Sequence, residues 1–578
     1  GEVEWVGSGV PSIVAQSLTV KGAPLPAELA VWFLPPAGSR RSYLQEADAI
    51  FHRAALFRGS IVGAWTYWLA IFVVLPAIGL LGVRCLALSR AGQSARRAAG
   101  WLFAIAALNF ACWAVITPAF QAPDEIDHFA YTQSLVERGV GPSPDGSVPL
   151  NRWSSAESLA LEVTDFLTDH EVADTRMPGT PLAVERYRRL DAIEHPPAND
   201  GGGYSTSAAH GPLYYLALAP GYLIAGHGAT FNQLTLMRVV SALLGALAAV
   251  FAFLLARELA PRRPWLGVLA GLLVVYEPMY GFISGAVNND VGVNAAAAAT
   301  AFLLIRALRR GMSVPLGFLT GATLIAVPLI KATGLSLYPV AALALIAALA
   351  LHHTRKDLPG WLSLAVGAIA MEQISSHVLS SFQPRSASNG FSAIGSNTSA
   401  AHLALTNIPE FLSFLWELFL PRLPGMSQHF AVGGTPAYTI FVKRGWGAFG
   451  WYDVFFPNWV YLVILAVMLA TIPLGLLAAR CEWRWIRRNW LETLTVVLIP
   501  IAVIAGFEAA YFSGGVQTII PTFGRYAFPA IAPLAVIVVG ALHGFGRRRM
   551  LYCGVGLLVA MIALSYSAQL LTLTSFYA

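Results

Sequence analysis

The sequence predicts an all-α polytopic membrane protein, and three observations lead to this fold class. Of the 578 residues, 56% are hydrophobic and only 12% are charged, whereas a soluble protein carries roughly 25% charged residues. Apolar runs long enough to cross a hydrocarbon core of ~30 Å recur along almost the whole chain. The arginines gather in short clusters between these runs, which is typical of cytoplasmic loops.

The apolar runs predict about twelve spanning helices. They fall at residues 60–83, 99–120, 231–257, 265–285, 291–308, 313–330, 334–352, 358–381, 457–478, 489–511, 527–545 and 550–572. Five arginine clusters in short loops then lie on one side of the membrane, at residues 84–97, 257–263, 306–310, 484–488 and 547–549. The polar loops 121–211 and 382–456 lie on the other, extracytoplasmic side. Residues 212–228 are apolar but shorter than a full span, so we expect a re-entrant or in-plane helix there.

We expect the chain to divide into four parts. Residues 1–58 contain strand-like pieces and predict the tail of a small extracytoplasmic β domain, followed by an interfacial helix near 43–57. Because no signal peptide precedes them, we expect that the native chain starts upstream or was cut. Residues 59–381 predict a transmembrane module with the large loop 121–211, 382–456 an extracytoplasmic loop with an interfacial helix, and 457–578 the C-terminal transmembrane helices.

The composition argues against several classes of function. The net charge of +6 does not indicate nucleic-acid binding, because the arginines sit between apolar runs, where they set membrane topology. The four cysteines lie inside apolar runs or beside arginine clusters, so a disulfide framework is not expected, and they lack metal-type spacing. The sequence has no Walker P-loop, and no GxGxxG motif lies between a predicted strand and a helix, so a soluble nucleotide site is not indicated.

Acidic residues occur where apolar runs meet the extracytoplasmic side. The motif "PDEIDH" contains Asp124, Glu125 and His128, and "SGAVNND" ends in Asp290 at an outer helix end. Each aspartate alone could serve as a helix cap, since Asp favours helix starts and turns. Three further glutamates lie inside apolar runs, where a carboxylate is costly and usually faces a cavity or a partner: Glu277, Glu372 and Glu508.

Cationic and aromatic residues are predicted on the same face. Lys331 lies in "PLIKATG", and Arg525 and Tyr526 lie in "TFGRYAFP", both at outer helix ends. Each cation alone could extend to the interface from an apolar helix. The stretch "GWGAFGWYDVFFPNW" contains Trp446 and Trp451, and an interfacial aromatic belt would also explain it. We keep all five as substrate-binding candidates.

Carboxylates and cations at one membrane depth suit transfer from a lipid-phosphate donor. An aspartate can accept the proton of an acceptor hydroxyl as general base. Lysine and arginine can bind the phosphate and stabilise the charge that it gains on leaving. A lipid tail would lie between helices, with its headgroup at this interface.

Several of these motifs resemble the GT-C class of membrane glycosyltransferases. "PDEIDHFAY" resembles the acidic first-loop motif of the class, "HGPLYYL" is similar to the Pro-Leu-Tyr-Tyr element after that loop, and "LMRVVSALLG" is similar to the next helix. "VNND", "LIKATG" and "GRYAFP" are similar to later elements of a poorly characterised bacterial branch. The resemblance covers roughly residues 99–545 and implies that the transmembrane module 59–381 is the catalytic one.

The resemblance implies a polyprenyl-phosphate sugar donor, a glycan or glycolipid acceptor, and inversion at the anomeric carbon on the outer face of the cell membrane. By it, Asp124 is the leading base, and Glu125 or Asp290 positions the acceptor or tunes that base. His128 would orient the motif. His210, in "AAHGPLYY", is more ordinarily a loop histidine, and we keep it as a substrate-binding candidate.

Three other interpretations stay open. In a metal-dependent oligosaccharide transferase of the same superfamily, Asp124, Glu125 and Asp290 would be ligands of Mg²⁺ or Mn²⁺, which prefer such oxygen ligands. By resemblance, monosaccharide-lipid enzymes of the class mostly work without a metal, so we expect no cofactor. A lipid-linked sugar flippase would need polar residues along a path through the membrane. A non-catalytic scaffold would not explain why acids and cations lie on one membrane face.

Overall fold

The computed structural model describes most of the chain and all of the predicted spans. The described residues are 42–56, 58–139, 141, 153–164, 185, 207, 210–226, 230–382, 407–430, 436–513 and 524–578, together with the backbone of five short strands before residue 33. Parts of the predicted loops 121–211 and 382–456 therefore lie outside the described residues.

The N-terminal segment contains strands and one helix. Strands β1 (Glu4–Val6), β2 (Val10–Ala15) and β5 (Leu29–Trp32) form an antiparallel sheet in the order β1–β2–β5, and β3 (Leu18–Val20) pairs with β4 (Ala23–Leu25). Helix α1 (Tyr43–Ala55) begins with a capping box, in which Ser42 and Gln45 satisfy each other's backbone amides. The placement of this segment outside the membrane stays a prediction.

Helices make up most of the chain after α1. In the first half these are α2 (Ala64–Arg90), α3 (Ala95–Ile116), α4 (Glu125–Arg138), α5 (Ser155–Val163), α6 (Leu213–Ile224), α7 (Thr230–Leu259), α8 (Pro264–Val275), α9 (Pro278–Ser284) and α10 (Asp290–Arg310). In the second half these are α11 (Val314–Ile330), α12 (Tyr338–Leu351), α13 (Leu358–Phe382), α14 (Ile408–Phe419), α15 (Asn458–Cys481), α16 (Trp483–Arg488), α17 (Trp490–Ser513), α18 (Ile531–Ala541) and α19 (Gly546–Tyr577).

The protein is a polytopic helical membrane protein, and each of the twelve predicted segments is helical over most of its length. Among the described residues, eight helices are long and apolar enough to cross a membrane, or up to nine if the bent pair α8–α9 forms one span. One of the eight, Gly524–Tyr577, has 54 residues. At 1.5 Å per residue this length suffices for two crossings of a ~30 Å core. The number twelve itself stays a prediction.

Three short elements complete the architecture around the site. A 3₁₀ turn, Ala332–Leu337, follows α11, and a second, Gly524–Ala530, precedes α18. A π-helical segment, Tyr438–Lys443, leads to the two-stranded hairpin of β6 (Ala448–Phe449) and β7 (Val454–Phe455). Helix α7 lies at the centre and packs against α3, α8 and α10, so the ends of these helices are held in fixed relation.

The two ends of the helical bundle differ in charge. Helix α10 begins at Asp290 and ends with Arg309 and Arg310. Helix α11 runs back from the arginine end and stops just before Lys331. These two helices therefore place Asp290 and Lys331 at one end of the bundle and an arginine cluster at the other.

Candidate functional site

Two buried arginines hold the loop that leads to the acidic motif. The last carbonyl groups of a helix have no partner within the helix, and the helix end carries partial negative charge. At the end of α3, Arg238 of α7 donates hydrogen bonds to the carbonyl oxygens of Ala114 (3.0 Å), Thr117 (2.7 Å) and Pro118 (2.7 Å). Arg58 donates to the carbonyl oxygens of Val115 (2.7 Å) and Thr117.

Glu125 is the counter-ion of Arg238. The Arg238 Nε lies 2.7 Å from Glu125 Oε1, and Nη2 lies 2.5 Å from Oε2. Oε1 also accepts a hydrogen bond of 3.0 Å from the backbone amide of Val287. Both side chains are 0% exposed. Glu125 therefore fixes the start of α4 against α7, and both of its oxygens are occupied.

Asp124 has the opposite environment, although it is the neighbour of Glu125. Its backbone is left-handed, with φ 63°, and its side chain is 41% exposed. Oδ2 accepts a hydrogen bond of 2.6 Å from Arg525 Nη2. Asn288 holds the preceding turn, because its Nδ2 donates to the carbonyl oxygen of Pro123 at 3.1 Å.

Backbone strain is concentrated around this aspartate. Among the described residues, the non-glycine residues with positive φ are Phe120 (60°), Asp124 (63°) and Tyr452 (70°). Trp451 connects two of the three segments, since its Nε1 donates to the carbonyl oxygen of Phe120 at 3.1 Å. Such conformations cost about 1–3 kcal/mol each and tend to occur at functional sites.

Asp290 sits between the two predicted cations. Arg525 Nε lies 3.3 Å from its Oδ2, and the Lys331 ammonium donates a hydrogen bond to its Oδ1. Its side chain is 4% exposed. Acids and cations thus alternate in the order Asp124, Arg525, Asp290, Lys331, and their formal charges sum to zero.

Two tyrosine rings line the cations. The Tyr526 ring centroid lies 4.8 Å from Lys331 Nζ and 5.1 Å from Arg525 Cζ. The Tyr452 ring centroid lies 5.7 Å from Arg525 Cζ. Contacts of this kind attract cations to ring faces and hold the charged groups in place.

Two histidines lie next to the acidic motif. His128 is 3% exposed, and its Nδ1 lies 2.8 Å from the Tyr215 hydroxyl oxygen. Its ring centroid is 6.2 Å from that of His210. Burial lowers the pKa of His128 to about 3, and burial with the nearby Lys331 charge lowers the pKa of His210 to about 4. Both imidazoles are therefore neutral near pH 7.

Asp124 is ionised near neutral pH. Burial by itself raises the pKa of its carboxyl, but the Arg525 guanidinium and other nearby positive charges lower it by more. The net pKa lies below the ordinary value of 3.8. The carboxylate is thus in the form that can accept a proton.

Comparison with protein families identifies the group to which this chain belongs. Residues 107–538, about three quarters of the chain, match a family described as predicted membrane protein (DUF2142). The chain belongs to the DUF2142 family. No match was found among curated proteins.

Solved structures similar to this DUF2142 protein share little of its sequence. ArnT from Cupriavidus metallidurans bound to undecaprenyl phosphate has 13% identity and a TM-score of 0.40, over 82% of this chain and 76% of ArnT. The oligosaccharyltransferase AglB from Archaeoglobus fulgidus, in complex with an inhibitory peptide and a dolichol-phosphate, has 14% identity and a TM-score of 0.37, over 82% of this chain and 56% of AglB. Likenesses at this level carry no argument about activity.

The structure brings together most of the residues predicted from the DUF2142 sequence. Asp124, Asp290, Lys331, Arg525 and Tyr526 converge. The charges of this cluster affect His128 and His210, which lie near it. Glu125 is instead paired with Arg238, and Trp446 and Trp451 pack against the hydrophobic core.

Sequence reasoning missed four residues that shape the site: Asn288, Tyr215, Tyr452 and Arg238. Of these four, only Arg238 could have been recognised from the sequence as a candidate, because an arginine inside an apolar run requires a buried partner.

Asp124, Glu125 and Asp290 are each paired with a cation in the DUF2142 fold. Within the described part of the chain, no group of three or more His, Cys, Asp or Glu side chains is arranged to hold a metal ion. Glu125 is bound to Arg238, and Asp290 is bound to Lys331 and Arg525. Metal dependence is therefore a question for an activity assay with and without a chelator.

Proposed function

We propose that this DUF2142 protein is an inverting membrane glycosyltransferase. It transfers a sugar from a polyprenyl-phosphate-linked donor to a hydroxyl group of a cell-envelope glycan or glycolipid, on the extracytoplasmic face. The observation that carries the proposal is one exposed, ionised carboxylate, Asp124, in contact with the buried cation Arg525, which shares Asp290 with a second cation, Lys331.

The cation pair is suited to the phosphate of the donor. Charge-assisted hydrogen bonds from arginine and lysine to phosphate are short and strong. As the bond between the anomeric carbon and the phosphate oxygen breaks, its electron pair stays on the polyprenyl phosphate, and negative charge grows there. Lys331 and Arg525 stabilise this charge, and Asp290 keeps both cations in place before the donor binds.

Asp124 is suited to be the general base. It is the most exposed of the three carboxylates: its side chain is 41% exposed, whereas that of Asp290 is 4% and that of Glu125 0% exposed. The acceptor hydroxyl gives its proton to Asp124 while its oxygen bonds to the anomeric carbon from the side opposite the phosphate, which inverts the configuration. His128, neutral and held by Tyr215, positions the first turn of α4 beneath the base.

The distribution of charge along the helices supports an extracytoplasmic site. The arginine clusters lie at the helix ends opposite the site, and basic loops remain on the cytoplasmic side. An acceptor in the cell envelope then approaches Asp124 from water, while the donor lipid stays in the membrane.

Transfer by the purified protein in nanodiscs tests this proposal. The donor is a labelled C55-polyprenyl-phosphate sugar, the acceptor is glycan from the envelope of the source organism, and donor binding is measured separately. Asp124→Asn keeps the shape of the side chain and removes the proton acceptor, so turnover is expected to fall at least ~10²-fold with donor binding nearly intact.

The matched control is Asp127→Asn, in the same motif. Its Oδ1 accepts a hydrogen bond from Trp153 Nε1 at 3.2 Å, which the amide oxygen can also accept, so this variant is expected to transfer normally. Near-normal transfer by Asp124→Asn would refute the assignment. Loss of activity with EDTA and recovery with Mn²⁺ would replace it with the metal-dependent mechanism.

A further inference from the structure

A narrow crevice opens beside the cation pair. Its walls come from α17, the Tyr438–Lys443 segment and the 3₁₀ turn Gly524–Ala530, and its lining is apolar except for Glu508 and Tyr526. It spans about 190 Å³ with its open mouth included, but it is too narrow for a water molecule. The rings of Phe507 and Tyr526, both in this lining, lie 4.5 Å apart between centroids, and the crevice must widen before it can hold a sugar.

Glu508 is the unusual member of this lining. It is 0% exposed, and neither carboxylate oxygen has a hydrogen-bond partner among the described residues. A buried carboxyl group without a partner is costly, particularly within an apolar helix. The other acids of the neighbourhood, Asp124 and Asp290, each contact a cation.

The crevice and the candidate donor site share one residue. Tyr526 lines the crevice, and its ring contacts Lys331 and Arg525. Helix α17 also packs closely on the turn after Lys331, where a Cβ atom at Gly506 would lie 2.6 Å from Ser336 Cβ. Glu508 is therefore fixed relative to the cations that we assign to the phosphate.

We propose that Glu508 recognises the sugar of the donor by accepting a hydrogen bond from a hydroxyl or ammonium group of that sugar. The inference rests on the proposed function. A donor of this kind has three parts, and two of them do not satisfy Glu508. The isoprenoid tail has no hydrogen-bond donor, and the phosphate is an anion that the two cations already attract. The sugar is the part that supplies donor groups.

Binding measurements on the full-length protein test this inference without an acceptor. The probes are C55-polyprenyl phosphate without a sugar, C55-polyprenyl phosphoglucose, and a C55-polyprenyl phospho-amino sugar. Glu508→Leu is expected to weaken binding of at least one sugar-loaded probe ~10-fold or more and to leave the bare phosphate unchanged. Glu508→Gln separates the two chemistries, because an amide oxygen still accepts from a hydroxyl group but offers no charge to an ammonium group.

Glu372→Leu is the matched control, since Glu372 is also a glutamate in an apolar helix but does not line the crevice. Equal binding of all probes by wild type and Glu508→Leu, or equal weakening of bare and sugar-loaded probes, would overturn the inference alone. Failure of the wild-type protein to bind any probe would overturn the proposed function as well.

Discussion

Replacement of Glu125 by glutamine is expected to destabilise the fold, although the residue is adjacent to the proposed base. The substitution leaves the Arg238 guanidinium, 0% exposed, without its counter-ion. Breaking a buried ion pair by removing one partner costs about 3–5 kcal/mol. Three backbone carbonyls still accept hydrogen bonds from Arg238, so we expect a loss near the lower end of that range.

The loss is measured by equilibrium unfolding of the purified protein in detergent, with Glu46→Gln as control. Glu46 is exposed on α1, so its variant tests the same substitution without burial. In the double variant Glu125→Gln/Arg238→Met the unpaired charge is gone, but the carbonyls at the end of α3 lose their donors. We therefore expect partial recovery of stability and a measurable coupling energy between the two positions.

Wild-type stability of Glu125→Gln would refute this reasoning about the ion pair. If such a stable variant also lost transfer activity more than ~10²-fold, Glu125 rather than Asp124 would be assigned as the general base.

Three further predictions concern donor binding, the dependence of stability on pH, and membrane topology. Arg525→Ala is expected to weaken donor binding at least ~10-fold, and Arg525→Lys to recover only part of it, because a point charge does not replace the planar guanidinium; equal binding by all three proteins would contradict this. The pKa of His128 is lowered from 6.5 to about 3, so between these pH values the unfolded state binds more protons than the folded state. The free energy of unfolding therefore falls as the pH drops through this range. His128→Asn should flatten the dependence of the unfolding midpoint on pH, and an unchanged slope would argue against burial as the cause. A membrane-impermeant maleimide should label Ser427→Cys in intact cells but the exposed native Cys481 only after permeabilisation, and the reverse pattern would invert the topology.

The helical segments could be predicted from the sequence, because a long apolar run is a local property of the chain. The convergence of Asp124, Asp290, Lys331 and Arg525 could also be predicted, since topology places all four at one membrane depth. The different environments of Asp124 and Glu125 could not. Which carboxylate is buried depends on Arg238, 113 residues further along the chain.

The strained backbone conformations near the site could not be predicted from the sequence either. Phe120 and Tyr452 adopt left-handed backbone conformations with no glycine to indicate them. Only packing between distant segments, such as the hydrogen bond from Trp451 to the Phe120 carbonyl, holds a bulky residue in that conformation.

The contact between Arg525 and Asp124 implies that binding of the proposed donor makes Asp124 a stronger base. In the free protein the Arg525 charge lowers the pKa of Asp124. A bound phosphate competes for the same guanidinium, so the proton affinity of Asp124 rises once the donor is in place. The acidic limb of kcat, which reports the enzyme–substrate complex, should therefore lie at higher pH than that of kcat/KM, which reports the free enzyme. Coincident limbs would show that Arg525 stays with Asp124 during binding, and the phosphate would then have to rely on Lys331.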